Sequence, residues 1–282
     1  MALPLACDHE GIEIVHAPHA SRVALHTDPL SYPGTAADTA VLVLHDCEHP
    51  LDGPVVRGGA RTEPCAPCTE KGARQGVSLD EALRERRVTD MSGRIPVAAV
   101  GSNCSVDVLR AKLAAVSAFG PVVPLTPGTV HNLAVGHSAH VSSPGYLAAA
   151  PYHCLGATTS VVIAWLDEAQ ATRLDATEPN YTRRTLPGAA YPVRLADSGE
   201  RLTEVFVYES THGLIADEDG PVSLRRQREI ATWLRSAAVA PWFSLDAEAA
   251  AESLAHDCLA RTAVRDELLL RGLVVPSNLQ AA

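Results

Sequence analysis

The chain has 282 residues, of which 46% are hydrophobic and 20% are charged, a composition typical of a globular protein rather than a disordered one. The formal net charge of −10 argues against nucleic acid and against an anionic membrane surface as partners, because both select a clustered basic face. Seven cysteines, an odd number in a chain too long to need a disulfide scaffold, predict reduced thiols and a cytoplasmic location.

Residues 1–96 form a first block, which we expect to be an N-terminal extension that contains Cys and His residues. Within it, the apolar run at residues 41–44 predicts a buried strand. Ser78 and Glu81 have the spacing of a capping box and predict a short, highly charged helix that reaches Arg87.

Two cysteines of this block, Cys65 and Cys68, have the spacing with which a pair of thiolates can hold one zinc ion. Cys47 and His49 lie upstream and bring the number of potential ligands to four. The upstream half is Cys-x-His rather than a second matched pair, which favours unligated thiols. Structural zinc stays open as the alternative.

A short buried strand is predicted at residues 97–100, and Gly101, Ser102 and Asn103 follow it directly. A helix from about residue 105 to 118 comes next. Backbone N–H groups and the positive dipole end at a helix N-terminus suit a carboxylate or a phosphate. The same tripeptide is equally at home in an ordinary turn before a helix, so both interpretations stay open.

Histidines crowd the next segment, which also contains a cysteine. They are His131, His137, His140 and His153, with Cys154. Two residues three positions apart on a strand point to opposite faces, so hydrogen-bonding or pocket-lining roles are favoured over zinc. We expect one of His137 and His140 to face a site.

The rest of the chain predicts strands first and helices later. The predicted strands are residues 161–166, 191–195 and 205–208. Ser223 is predicted to cap a helix that runs to Leu234, and Asp246 to open a longer helix that reaches Leu270. This last helix is alanine-rich and has the character of a packing helix.

Residues 174–184 place one carboxylate, that of Glu178, where a helix ends and a strand begins. Asp167 and Gln170 have the spacing of a capping-box variant and predict a helix of about ten residues. Pro179 ends this helix, because proline disfavours helical geometry in the residue before it. Glu178 is therefore predicted to be extended, directly after the last turn.

This position suits a general base. Carbonyl groups at a helix C-terminus disfavour a neighbouring anion, which makes the carboxylate of Glu178 a better proton acceptor. The alternative interpretation is a solvated acid at a helix end, paired with Arg183 or Arg184.

Together the loop and this glutamate resemble the γ-glutamylcyclotransferase-like family. In that family a strand ends in a Tyr-Gly-Ser-Asn loop before a helix, and a catalytic glutamate follows in a Leu-Asp-x-x-Glu-Gly context. The counterparts here are residues 100–103, Val-Gly-Ser-Asn, and residues 174–179, Leu-Asp-Ala-Thr-Glu-Pro. The resemblance covers residues 97–235, about half of the chain.

The resemblance implies that Val100, Gly101, Ser102 and Asn103 bind the glutamyl end of the substrate, while Glu178 acts as general acid and base. The α-amine of the substrate would attack its own γ-carbonyl and give 5-oxoproline and a free amine. Such an intramolecular attack depends on positioning and requires no protein nucleophile, metal or cofactor.

Three features depart from the family pattern. Val100 stands in place of the loop tyrosine, and Pro179 in place of the usual glycine. Residues 222–226 lack the tyrosine that several cyclotransferases place near the substrate. These departures put the leaving-group pocket in question, so standard glutathione is not the expected substrate.

We therefore expect an α+β fold, a γ-glutamylcyclotransferase-like mixed β-barrel with flanking helices, an N-terminal extension and C-terminal helices. The predicted division is 1–96 for the extension, 97–235 for the catalytic core and 236–282 for the C-terminal helical segment. The expected activity is cleavage of a γ-glutamyl amine or related amide, a small-molecule substrate. Two alternatives are a non-catalytic module that binds small carboxylates or is stapled by zinc, and an amidohydrolase on the same fold.

Overall fold

The computed structural model describes residues 28–44, 47–56, 58–63, 76–116, 120–237, 239, 241–243 and 246–280. Within these ranges the chain forms a mixed sheet of 14 strands and six α-helices. None of the described helices is long and apolar enough to cross a membrane. Cys65 and Cys68 lie outside the described residues, so the zinc hypothesis stays a prediction.

The α-helices are α1 (Leu79–Glu85), α2 (Val106–Leu113), α3 (Glu168–Ala176), α4 (Gln227–Ser236), α5 (Ala247–His256) and α6 (Cys258–Leu270). The first seven strands are β1 (Val41–Val43), β2 (Glu48–Asp52), β3 (Arg61–Thr62), β4 (Val77–Ser78), β5 (Ile95–Ala99), β6 (Val123–Val141) and β7 (Leu147–Leu166). The other seven are β8 (Tyr181–Pro187), β9 (Val193–Leu195), β10 (Arg201–Leu202), β11 (Glu204–Ser210), β12 (Leu214–Asp217), β13 (Gly220–Pro221) and β14 (Val274–Val275). Short 3₁₀ helices occupy Pro29–Ser31, Met91–Gly93, Ser102–Cys104 and Pro241–Phe243.

The centre of the sheet is an antiparallel hairpin of two long strands, β6 with 19 residues and β7 with 20. The main path of the sheet runs β4-β3-β2-β1-β6-β7-β5-β11-β8. At different points along its length β6 also pairs with β9 and β12, so the sheet branches. Among the described strands β8 pairs with β11 only, and the path ends there.

The α+β class with flanking helices is therefore confirmed, but the prediction of a barrel is wrong, because the sheet is not closed. Closure would require hydrogen bonds between the strands at the two ends of the path. The described strands before residue 97 join this same sheet, since β1 pairs with β6. The domain boundaries at residues 96/97 and 235/236 stay predictions.

Several local predictions are confirmed. The run at residues 41–44 forms β1, and residues 97–100 overlap the end of β5. In α3 the carboxylate of Asp167 accepts from the backbone N–H of Gln170, whose side chain accepts from the N–H of Asp167. This reciprocal capping box starts the helix as its spacing predicts.

Two local predictions need correction, and one long strand lacked a prediction. The helix expected from Asp246 to Leu270 is two helices, because Asp257 is extended and caps α6 by accepting from Ala260 N–H. The helix expected after Ser223 begins later, at α4, while Ser223 forms an isolated bridge with Gly136. Strand β6 was not predicted, since prolines, glycines and histidines interrupt its apolar pattern.

Helices α2 and α3 lie side by side over the sheet, in one apolar cluster. Leu109 and Leu113 of α2 and Leu174 of α3 are fully buried there, together with Val97 and Val162 of the sheet. Each buried leucine stabilises this arrangement by about 1.5–3 kcal/mol. The packing fixes where α2 and the end of α3 stand relative to the loop that follows β5.

The turn that joins β6 to β7 is held by the C-terminal helices. The side-chain amide of Gln227, at the start of α4, accepts from Leu147 N–H at 2.9 Å and donates to Leu147 C=O at 3.0 Å. Gly145 has a φ of +94°, and a Cβ there would overlap the carbonyl oxygen of Ala251 in α5. Glycine is required at this position both for its backbone conformation and for the close approach of α5.

We expect Gly145→Ala to lower the free energy of unfolding by more than about 2 kcal/mol. The cost of a positive φ in alanine and the cost of the overlap between its Cβ and the carbonyl oxygen of Ala251 add together. Gly156→Ala is the matched control, since Gly156 has a φ of +81° and nothing within 4 Å of the added Cβ. This control should lose only about 1 kcal/mol. Urea unfolding of both variants measures the difference, and equal losses would show that α5 does not press on the turn.

Candidate active site

One cavity of about 310 Å³ is lined by the loop after β5, by α2, by the β6–β7 turn and by the segment after α3. All five residues predicted to form the site line it: Val100, Gly101, Ser102, Asn103 and Glu178. The geometry thus brings the loop and the glutamate to one place, and their chemical roles stay predictions.

Glu178 is held by two partners in the cavity. Asn103 Nδ2 donates to Glu178 Oε1 at 2.8 Å, and Lys112 Nζ lies 2.6 Å from the same oxygen. Lys112 Nζ also donates to Asn103 Oδ1 at 2.8 Å, so the three side chains form a closed triangle of contacts. The side chains of Lys112 and Glu178 are 19% and 14% exposed, which sets them apart from a solvated surface pair.

The alternative prediction, in which Glu178 is a solvated acid paired with Arg183 or Arg184, is wrong. Arg183 forms a bidentate pair with Asp175, and Arg184 pairs with Glu209. Both arginines therefore pair with acids other than Glu178. Glu178 does follow the last turn of α3, as Pro179 predicts, since α3 ends at Ala176.

Tyrosines form much of the cavity wall, because four of the six in the chain line it. They are Tyr32, Tyr146, Tyr181 and Tyr208. Burial raises the pKa of Tyr146 to about 12 and those of Tyr32 and Tyr181 well above their ordinary value, so these phenols stay protonated at neutral pH.

Tyr32 comes from the N-terminal extension and is an unexpected part of the site. Its hydroxyl accepts from Ala149 N–H at 2.7 Å, and its ring stacks on that of Tyr146 with centroids 4.2 Å apart. A Cβ on Gly101 would lie 2.5 Å from Tyr32 Oη. A phenol from a distant part of the chain thus lies against the loop at residues 100–103.

His140 is the histidine that faces the cavity, which confirms that one of the His137 and His140 pair does so. Its Nδ1 lies 2.5 Å from Ser138 Oγ. Burial, with the nearby His212, lowers the pKa of His140 to about 3, so its ring is neutral at pH 7. His137 instead accepts from Arg225 N–H at 2.9 Å through Nε2. Burial lowers the pKa of His137 to about 4.

Cys104 follows the loop directly, and its side chain is buried. Burial raises the pKa of the Cys104 thiol to about 11, which makes it a poor nucleophile at neutral pH. In the part of the chain that the structure describes, no group of three or more His, Cys, Asp or Glu side chains is arranged to hold a metal ion. His49 is buried on β2, and burial lowers its pKa.

No protein-family model matches this chain, and no curated protein matches it. Similar solved structures include a solution structure from Arabidopsis thaliana at 15% identity, with a TM-score of 0.35, covering 51% of this chain and 79% of that one. Another is a gamma-glutamyl cyclotransferase at 12% identity and TM-score 0.35, covering 57% and 86%. A third is an uncharacterized Homo sapiens protein at 11% identity and TM-score 0.33, covering 67% and 93%.

We expect Gly101→Ala to destabilise the protein because its Cβ would press on Tyr32 Oη. In a Tyr32→Phe background, which lacks that oxygen, the same substitution should cost about 1 kcal/mol less, the scale of coupling between residues in contact. A double-mutant cycle of unfolding free energies measures this. Strict additivity of the two substitutions would contradict the contact.

Acid should destabilise the fold through the buried histidines. The folded-state pKa values of about 4 and about 3 lie below the ordinary value of 6.5, so between these limits the unfolded chain binds more protons. The contribution of these two histidines to stability is therefore fully present above about pH 6.5 and is lost as pH is lowered. Between pH 6.5 and 4 the free energy of unfolding should fall by on the order of 2 kcal/mol less in His140→Gln than in wild type. His131→Gln is the control. Equal pH slopes for the two variants would contradict the buried state of His140.

Proposed function

We propose that this chain is an enzyme that cleaves a γ-glutamyl amine or related amide, releasing 5-oxoproline and a free amine. The observation that carries the proposal is the contact of Glu178 with the loop residue Asn103, 75 residues away, within one cavity of about 310 Å³. The reaction needs a group that moves protons, and polar groups that hold the substrate beside it, and Glu178 and the loop are the candidates for these two roles.

In the proposed reaction Glu178 accepts a proton from the α-ammonium of the substrate, and the freed amine attacks the γ-carbonyl carbon. A new C–N bond closes the five-membered ring, and the C–N bond to the leaving amine breaks. Glu178 returns a proton to the leaving nitrogen, and the second proton lost by the ring nitrogen also ends on that amine. The nucleophile belongs to the substrate, so the step requires no cofactor, and positioning supplies much of the rate.

The cavity wall suits this chemistry. The carbonyl oxygen gains negative charge during the attack, and protonated phenols such as those of Tyr32 and Tyr146 are able to donate hydrogen bonds to it. The side chain of Glu178 is little exposed, so little water reaches this part of the cavity. Hydrogen bonds and charge interactions with the substrate are stronger there, because less water competes for the polar groups. The aromatic wall also supports a leaving amine with an apolar part.

The competing function is a site that binds a small carboxylate without turnover. The tight contact between Lys112 and Glu178 favours it, since a base already held by an ammonium must exchange that partner before it can accept a proton. A third outcome, hydrolysis on the same site, would release glutamate in place of 5-oxoproline. The products distinguish all three.

Incubation with a panel of γ-glutamyl amines, followed by chromatography of the products, tests the proposal. We expect 5-oxoproline and free amine from at least one donor, and a loss of about 10²–10⁴-fold in turnover for Glu178→Gln. Glu168→Gln is the control, because Glu168 is an exposed acid at the opposite end of α3. Full turnover by Glu178→Gln would exclude Glu178 as the base.

A further inference from the structure

Lys112 lines the cavity, and the proposed reaction gives it no role. Among the described lining residues it is the only lysine or arginine, and Glu178 is the only acid. The chain has 23 basic residues but only two lysines, Lys71 and Lys112. A cation at this place suits an anionic group of a ligand.

The ammonium group of Lys112 is poised to take a further ligand. It has three N–H donors, and within the described residues it donates to Asn103 Oδ1 and Glu178 Oε1. These two bonds use two of the three donors, and Lys112 lines the cavity. A lysine is a compact point charge on a flexible stem, so it can turn from Glu178 to a neighbouring anion more readily than the planar guanidinium of arginine.

We infer that Lys112 is a specificity-determining residue that binds the α-carboxylate of the substrate and restricts the cavity to ligands with a free α-amino-acid head. This inference rests on the proposed function and names the part of the substrate that the site selects. The ammonium of the ligand takes the place of Lys112 Nζ at Glu178, and the α-carboxylate then pairs with the released Nζ. Asn103, which touches both side chains, stays between the two new pairs.

Charge balance explains the selection. The Lys112–Glu178 pair is neutral, and a zwitterionic head keeps the cavity neutral after the partners are exchanged. An amine without a carboxylate would leave a net positive charge in a site that is little exposed to water, which is unfavourable. His140 does not change this balance, because its ring is neutral.

The test compares two amides of the same amine, one γ-glutamyl and one 4-aminobutyryl, which differ only in the α-carboxylate. Both can cyclise, to 5-oxoproline and to 2-pyrrolidinone. We expect wild type to prefer the γ-glutamyl amide, and Lys112→Met to lower the kcat/KM ratio of the two amides by about 100-fold or more, the loss typical of a truncated buried charge pair. Lys112→Arg should keep part of the preference.

Arg110→Met is the matched control, because Arg110 lies on α2 but pairs with Glu48 and Asp107 outside the cavity. Its kcat/KM ratio should equal that of wild type. An equal loss on both amides in Lys112→Met would mean that Lys112 only holds Glu178 in place, and would overturn the inference.

Binding separates this inference from the proposed reaction. If wild type turns over neither amide, the proposed function fails, while calorimetry with L-glutamine and 4-aminobutyramide still tests Lys112. Tighter binding of L-glutamine by wild type, with the preference lost in Lys112→Met, supports carboxylate recognition without catalysis. Equal affinities for the two ligands in wild type would refute it.

Discussion

The contact between Lys112 Nζ and Glu178 Oε1, at 2.6 Å, is the interaction on which the arrangement of the cavity depends. Two side chains of opposite charge that are so little exposed stabilise a structure only when their positions are fixed and their remaining polar atoms are satisfied. The packing of α2 against α3 through Leu109 and Leu174 fixes the backbones, and Asn103 bonds to both charged groups. These contacts fix the backbone positions of Lys112 and Glu178.

The rest of the cavity is assembled from distant parts of the chain. Tyr32 of the extension fills space beside Gly101, and the β6–β7 turn supplies Tyr146. The turn is fixed in place by Gln227 of α4 and by the close approach of α5 at Gly145. Segments before and after the predicted core therefore support or line the same cavity, which gives both of them a physical role.

Local features of the site were predictable from sequence, because they depend on neighbouring residues. The capping box at Asp167 and the effect of Pro179 place Glu178 after α3, as the structure confirms. Lys112 and Tyr32 carry no comparable signal, since their contacts span 66 residues to Glu178 and 117 to Ala149. The open sheet was equally unpredictable, because strand order follows from long-range pairing and not from local pattern.

A crystal structure with bound 5-oxoproline, or with a γ-glutamyl analogue that cannot be cleaved, tests the central claim most directly. We expect the ring or amino nitrogen of the ligand to lie within hydrogen-bonding distance of Glu178, and its carboxylate to contact Lys112. A ligand bound elsewhere, with the Lys112–Glu178 contact unchanged, would show that these two residues do not form the binding site.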